Sequence, residues 1–508
     1  MRATVAAVTG AAVVAGAALL APVAPATGAT AAAQARSTVR WGPCPLPGSP
    51  AELQCASLAV PVDYADPHGK TTTIVLNRLP STGAHPLGSL FFDPGGPGGS
   101  GTEFVYVESL LPGFFTPSTR EHFDLIGVDP RGVGLSSPVR CDPILLNERV
   151  TLFPKNEAQF RRLVEHNRAL GRSCRRLTGP LLEHVDTVSA ARDLEAARKA
   201  LGPDRLDYLG LSYGSQLGAT YASLYPHRFR RMALDGALDH ALSTLTLFRD
   251  EAAAYEDSFR RFAAWCARTT ACALHGQDVA AMFDRLLATA ARTPIPAPQC
   301  AAQGGCRPDV TAEDIRFNVQ RLLLFPTPIP LIADNGWNDL ATAIRQAAAG
   351  DASALSSSLA ASDADSALNG SGIAIECLDW PTPVRTLADL RRLQALGRAV
   401  SPTFRGASQS WTVIAGCVGW PAPVVNPPRP YTVRHAARIL ITNATHDPST
   451  PYPWAVQLAR RLRTGVLVTR DGDGHTTYLT RGPSHTRAAI DTYLATGRTP
   501  PRGTVFRD

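Results

Sequence analysis

The five residues Gly210-Leu211-Ser212-Tyr213-Gly214 constrain this chain more than any other stretch, because of what flanks them. A short apolar run, Leu206 to Leu209, precedes them, and a helical pattern, Ser215 to Tyr225, follows. A serine at a sharp strand-to-helix turn takes a strained backbone, and glycines stand two residues before and after it because no Cβ fits there. The turn presents the Ser212 hydroxyl at the end of a strand, with the next N–H aimed at the same point. Such a turn has a chemical use only if a histidine, a carboxylate and a second N–H donor converge on it.

The flanking sequence alternates strands and helices. Thr71 to Leu79 alternates as an exposed strand and Leu90-Phe91-Phe92 reads as a buried one. The latter runs into Asp93-Pro94-Gly95-Gly96-Pro97-Gly98-Gly99-Ser100-Gly101, a tight loop able to bring backbone N–H groups close to a ligand. No Gly-Lys-Ser/Thr follows, so it is not a phosphate loop. A third strand, Phe123 to Val128, ends in Asp129-Pro130-Arg131-Gly132, where the charged pair reads as a clamp within a turn. Helical patterns at Ala158 to Arg172 and Thr187 to Leu201 lead to the serine turn, and Arg231 to Gly236 is the strand after it. This alternation predicts an α/β fold with a mostly parallel sheet and helices on both faces.

From about Ala241 to Pro430 strand signals become sparse and helical stretches dominate, among them Ala252 to Ala271, Thr311 to Leu324 and Trp337 to Ala348. The region reads as a helical cap inserted over the sheet, with an independent second domain as the alternative. Sheet patterning then resumes at Ala437 to Thr442, which favours the insertion. That strand ends in Asn443-Ala444-Thr445-His446-Asp447-Pro448-Ser449-Thr450. A helix from Trp454 to Arg463 and a strand from Gly465 to Thr469 lead to Asp471-Gly472-Asp473-Gly474-His475, and a helix from Ser484 to Ala495 closes the fold.

The chain order is therefore Ser212, Asp447, His475, each at the end of a strand. That order and those positions are the ones of the α/β-hydrolase fold. Serine is a poor nucleophile at its own pKa; an imidazole removes its proton, and a carboxylate orients and stabilises that imidazole. Asp235, at the end of the earlier strand, is the rival for the acid, and Asp473 reads as a turn former. His435, His446 and His485 lack the setting of His475. The boundaries expected are a core over 36–240, a cap over 241–430 and the rest of the core over 431–508.

Compartment follows from the first segment and the cysteines. Met1-Arg2 precedes an apolar, small-residue run, Ala3 to Leu20, and then Ala24-Pro25-Ala26, Ala29-Thr30-Ala31 and Ala33-Gln34-Ala35 offer small-x-small sites. Residues 1–35 read as a secretory signal peptide cleaved within 26–35. The alternative, a membrane anchor, is weakened by the run's Ala and Gly content. Ten cysteines fit an exported protein, and the expected pairing is sequential: Cys44 with Cys55, Cys141 with Cys174, Cys266 with Cys272, Cys300 with Cys306, and Cys377 with Cys417. Metal-ligand spacings are absent, so no metal or other cofactor is expected. The formal charge of +7 comes from dispersed arginines, which read as a solvated basic surface and not as a nucleic-acid site. No later stretch is long and apolar enough to span a bilayer, so no stable membrane association is expected after signal removal.

With these motifs assembled, the chain resembles the secreted actinobacterial tripeptidyl aminopeptidases, relatives of the prolyl aminopeptidases. The likeness rests on Asp93 to Gly101, Asp129 to Gly134, Gly210 to Ser215, Leu234-Asp235-Gly236, Ile375-Glu376-Cys377-Leu378-Asp379-Trp380, Asp447 to Pro451 and Gly474-His475. Two positions depart from the pattern. Pro94 stands where prolyl aminopeptidases carry His before Gly-Gly-Pro-Gly, and Thr476 stands where a small Gly is expected. The resemblance implies a serine exopeptidase acting on the free N-termini of peptides or proteins, with a cap that limits entry. Placement would put the oxyanion between the N–H of Tyr213 and one from Gly95 to Gly98, with Gly96 favoured, and an aminopeptidase needs a cap carboxylate for the substrate's ammonium, for which Glu376 and Asp379 are the candidates, a structural role being the alternative. A secreted esterase or lipase with the same triad is the competing enzyme reading, and a non-catalytic binding protein on a hydrolase scaffold is the competing class.

Overall fold

The computed structural model describes residues 39–329, 334–363, 367–431, 433–479 and 482–508. The segment read as a signal peptide lies outside them.

Eight strands carry the sheet: β1 (Gln54–Pro61), β2 (Thr71–Leu79), β3 (Gly88–Asp93), β4 (Phe123–Val128), β5 (Leu206–Leu211), β6 (Phe229–Asp235), β7 (Ile439–His446) and β8 (Gly465–Asp473). Their spatial order is β1-β2-β4-β3-β5-β6-β7-β8, flanked by the short edge strands Gly42–Pro43 and Val505–Phe506. β1 and β2 run antiparallel to their neighbours, and every pairing from β4 to β8 is parallel. Parallel strands are covered by helices on both faces, so they read as continuous apolar runs. Accordingly, every residue of β5 is buried.

Helices cover the two faces. They include α1 (Gly101–Leu110), α2 (Glu157–Thr178), α3 (Thr187–Leu201) and α4 (Tyr213–Leu224) before the cap, and later Tyr452–Arg461 and His485–Thr496. Phe91, Ile126, Tyr208, Leu217 and Leu234 belong to one apolar layer, while Phe92, Leu125, Leu209, Ala233 and Val468 belong to the other. Alternate residues of the same strands thus feed opposite cores, as the pleat requires. Together these features make the chain an α/β-hydrolase fold.

Between β6 and β7, which are neighbours in the sheet, the chain builds a helical layer. Its first helix, α5 (Thr244–Arg268), begins earlier than the sequence pattern predicts. Ser243 caps it, with the side chain accepting from Thr246 N–H, and so adds two turns before Ala252. The layer continues through Val279–Arg292, Ala312–Leu323 and Trp337–Ala348, then through α6 (Ala367–Asp379), Leu387–Val400 and α7 (Gln409–Gly416). It has an apolar core of its own, centred on Phe259, Phe262, Phe283, Trp337 and Phe404.

All ten cysteines lie in five sulfur–sulfur pairs: Cys44–Cys55, Cys141–Cys174, Cys266–Cys272, Cys300–Cys306 and Cys377–Cys417. The last pair joins α6 to the residue that follows α7. Among the described residues, no helix is long and apolar enough to cross a membrane.

Candidate active site

The loops that matter leave adjacent strands on one edge of the sheet. Asp93 at the end of β3 pairs in register with Gly210 of β5, Leu211 pairs with Asp235 of β6, and Thr442 of β7 also pairs with Asp235. In open parallel sheets this carboxyl edge is where ligands bind.

Ser212 stands between β5 and α4 with φ 56° and ψ −123°, a strained conformation for a residue with a side chain. The surrounding contacts enforce it. Ser212 N–H donates to the Asp235 carbonyl at 2.9 Å, and Ser215 N–H returns to the Ser212 carbonyl at 2.8 Å. A Cβ on Gly210 would lie 2.3 Å from the Gly214 carbonyl oxygen, and one on Gly214 would lie 2.6 Å from the Asp93 carbonyl oxygen. Both glycines are therefore required by close backbone approach. The Ser212 side chain does not cap the helix that it begins.

Asp447 and His475 meet directly. The imidazole Nδ1 lies 2.9 and 3.0 Å from the two Asp447 carboxylate oxygens. Asp447 is held in turn by the N–H groups of Ser449 and Thr450 and by the Thr450 hydroxyl. With the Nδ1 proton directed at Asp447, Nε2 is the ring nitrogen left to accept a proton. Burial alone would lower the His475 pKa, but the charge and hydrogen bond of Asp447, with Asp235 and Glu251 beyond, outweigh it and raise the pKa above the usual histidine value.

Asp235 does not compete for His475. Its oxygens accept from the Thr442 hydroxyl, the Thr477 N–H and hydroxyl, and the Tyr478 N–H, so it braces the turn that follows His475. Thr476 within that turn has φ 59°, unusual for a β-branched residue. Asp473 is paired with Arg261 of the cap, and His446 with Asp257.

The glycine loop after β3 lies against the serine turn. Asp93 accepts the Gly95 N–H at 2.8 Å, and a Cβ on Gly95 would fall 2.9 Å from the Tyr213 nitrogen. Gly96 and Tyr213 line one cavity with Ser212, so the two N–H groups expected to hold an oxyanion border the same space. Asp129 and Arg131 are clamps: Asp129 gathers Ser100, Thr102 and Leu135, and Arg131 forms a buried bidentate pair with Asp193 at 2.6 Å.

The cavity, about 50 Å³, lies between the serine turn and the cap. Its walls are apolar at Leu238, Leu247, Trp380, Val413 and Trp454, and acidic at Glu251, Glu376 and Asp379. Burial is the chief cause of a raised pKa at each carboxyl. Glu376 is pushed up to about 8, with added repulsion from Glu251 and Asp379, and Glu251 is pushed up to about 7.

The structure corrects the expected role of Asp379. Its two oxygens already accept from Thr187 N–H, the Thr187 hydroxyl, Gln216 Nε2 and Asn426 Nδ2, which leaves no lone pair for a substrate ammonium. Glu376 is less committed, with a hydrogen bond from Gln409 Nε2 at 2.7 Å. Glu251, which sequence reasoning missed, also borders the cavity; it accepts the Ser410 N–H at 2.7 Å and is held further by the side chains of Ser408 and Ser410. Among the described residues, no group of three or more His, Cys, Asp or Glu side chains could hold a metal ion.

A serine on a strained strand-to-helix turn, a buried Asp–His pair at later strand ends and loop N–H groups beside the serine define a serine hydrolase of the α/β-hydrolase fold. Comparison with known proteins narrows the class. Over 483 residues the chain is 33% identical to serine protease Hip1 of Mycobacterium tuberculosis (strain ATCC 25618 / H37Rv), covering 92% of this chain and 90% of that protein. It is 32% identical over 495 residues to tripeptidyl aminopeptidase of Streptomyces lividans, covering 93% and 87%. A third relative, carboxylesterase B of Mycobacterium tuberculosis (strain ATCC 25618 / H37Rv), is 31% identical over 472 residues, covering 88% and 85%. Residues 401–506 match the family model described as TAP-like protein. The chain belongs to the tripeptidyl aminopeptidase family of serine hydrolases, and it is a serine peptidase.

Proposed function

We propose that the protein is a secreted exopeptidase that releases short peptides, tripeptides among them, from free N-termini through an acyl-enzyme on Ser212. His475 Nε2 takes the Ser212 proton as Oγ attacks the scissile carbonyl. The oxyanion forms between the N–H groups of Tyr213 and Gly96, and loss of one such donor typically costs about 10² to 10³ in rate. His475 then returns the proton to the leaving amine, and water releases the peptide by the same steps in reverse. Asp447 fixes the imidazole and stabilises its cationic form.

The observation that carries this reading is the pair of buried carboxyls, Glu251 and Glu376, in the cavity that holds Ser212. Burying acids without a cation costs on the order of several kcal/mol each. A substrate's terminal ammonium is the cation that offsets the cost, and it would restore both acids to the charged form. A carboxylesterase, the activity named for one relative, gains nothing from such a pair.

In this reading residues 1–35 are a signal peptide, 36–240 and 431–508 form the catalytic core, and 241–430 are the cap that sets how much peptide fits. A panel of one-, two- and three-residue arylamides beside a short acyl ester tests the proposal. The highest kcat/KM is expected for a free-amine peptide, with three residues preferred. A preference for the acyl ester would overturn it.

A further inference from the structure

We infer that Gln216 is a substrate-binding residue: its side-chain carbonyl accepts a hydrogen bond from the nitrogen on the α-carbon next to the scissile carbonyl. The inference rests on the reading of Ser212 as the nucleophile.

Gln216 lies four residues after Ser212, one turn into α4, and lines the same cavity. It is fully buried. Its Nε2 donates to Asp379 Oδ2 at 2.9 Å and to the Thr187 hydroxyl at 3.2 Å, so both amide hydrogens are used. These bonds also settle which way the amide faces. The Thr187 hydroxyl gives its own proton to Asp379 and accepts from the Tyr213 hydroxyl, leaving only an acceptor for Gln216 on that side. Turning the amide over would aim its oxygen at a carboxylate and a hydroxyl whose proton is already given away. The network therefore holds Oε1 in the remaining direction, where it is buried and has no hydrogen-bond partner.

A buried acceptor left unpaired destabilises the fold. The two amide hydrogens already tie α4 to Asp379 and Thr187, so the carbonyl is the part of the side chain left for a ligand in the cavity that Gln216 lines. The cost is recovered when a donor enters the cavity. In a peptide held with its carbonyl at Ser212, the nearest donor on the acyl side, the side that stays on the enzyme, is the nitrogen of the residue that supplies that carbonyl, an amide N–H when several residues are released and an ammonium when one is. A simple acyl ester has no such donor, so docking it leaves Oε1 unsatisfied. Gln216 is thus a device for preferring aminoacyl over plain acyl groups.

The test pairs a substrate change with a protein change. A tripeptide arylamide is compared with an analogue in which an ester oxygen replaces the N–H of the residue bearing the scissile carbonyl. The same two acyl groups are also offered as p-nitrophenyl esters. Wild type is expected to lose about 10- to 100-fold in kcat/KM on the analogue, the range that an unpaired buried acceptor gives. In Gln216→Met, and in Gln216→Leu as a second variant, that gap is expected to close to within threefold, with folding checked by thermal melting and fluorophosphonate labelling. Equal wild-type rates on parent and analogue would overturn the inference whatever the variants do, as would a gap that persists in a folded variant. Failure to cleave either arylamide, with the gap still present on the p-nitrophenyl esters, would instead sink the exopeptidase reading and leave Gln216 in its role.

Discussion

Ser212 keeps a strained backbone because the Asp235 carbonyl, Gly210 and Gly214 leave it no other, and the chemistry assigned to it is open to direct removal. Ser212→Ala is expected to abolish turnover and labelling by a fluorophosphonate probe. Asp447→Asn keeps the shape but favours the wrong histidine tautomer, and should lower kcat by about 10⁴, as in other triads. A loss of less than tenfold would contradict the Asp447 assignment. Glu376→Gln should raise KM for a free-amine peptide while leaving an N-acetylated peptide or an acyl ester nearly unaffected. The pH dependence follows the same division. His475 has a raised pKa, so kcat/KM on any substrate should fall as pH drops through a value above the ordinary 6.5 or so. Free-amine substrates should show an additional rise toward about pH 8 that Glu376→Gln removes, measured as kcat/KM against pH.

At the scale of elements, α5 does more than cover the cavity. One face of it carries Asp250 to Trp454, Glu251 into the cavity, Asp257 to His446 and Arg261 to Asp473. His446 adjoins Asp447, and Asp473 lies two residues before His475, so the cap holds both triad loops. The Leu324 carbonyl adds a hydrogen bond from His475 N–H at 2.8 Å. Arg261→Ala should therefore lower kcat by about 10- to 100-fold through misplacement of His475, with little change in KM. The pair is part-exposed, so stability should move by less than about 1 kcal/mol. A change confined to KM would contradict this. The candidate triad could be read from the sequence because Asp447 and His475 sit at strand ends beside Pro448 and Gly474, and Ser212 lies between Gly210 and Gly214, where local turn chemistry marks each. Of the cap acids, Glu376 is singled out through the family resemblance, whereas Glu251 is not. Glu251 falls on α5 only because the Ser243 cap extends that helix, and its donor, Ser410, is 159 residues away. Asp379 could be read as an acid but not as a satisfied one, because two of its donors come from Thr187, 192 residues earlier. Gln216 carries no local mark at all; its unpaired oxygen exists only once Asp379 and Thr187 have packed against it.

The molecule as a whole buries several carboxyls whose pKa is raised: Glu376 to about 8, and Glu251, Asp379 and Asp93 to about 7. In the unfolded chain these groups titrate near 4. Between about pH 4 and 8 the native state therefore holds more protons, and stability should fall as pH rises through that window. A product-like tripeptide with a free amine should offset much of that fall by pairing with Glu251 and Glu376. Thermal midpoints from pH 5 to 8.5, with and without the tripeptide, check this, and a slope unchanged in the Glu251→Gln, Glu376→Gln double variant would contradict it. The most direct test of the central claim is the ratio of kcat/KM for a tripeptide arylamide to that of its N-acetyl form. A ratio above about 10² is expected, the size that removal of one well-placed buried charge partner supports. A ratio near one, or faster cleavage of the blocked peptide, would contradict the account.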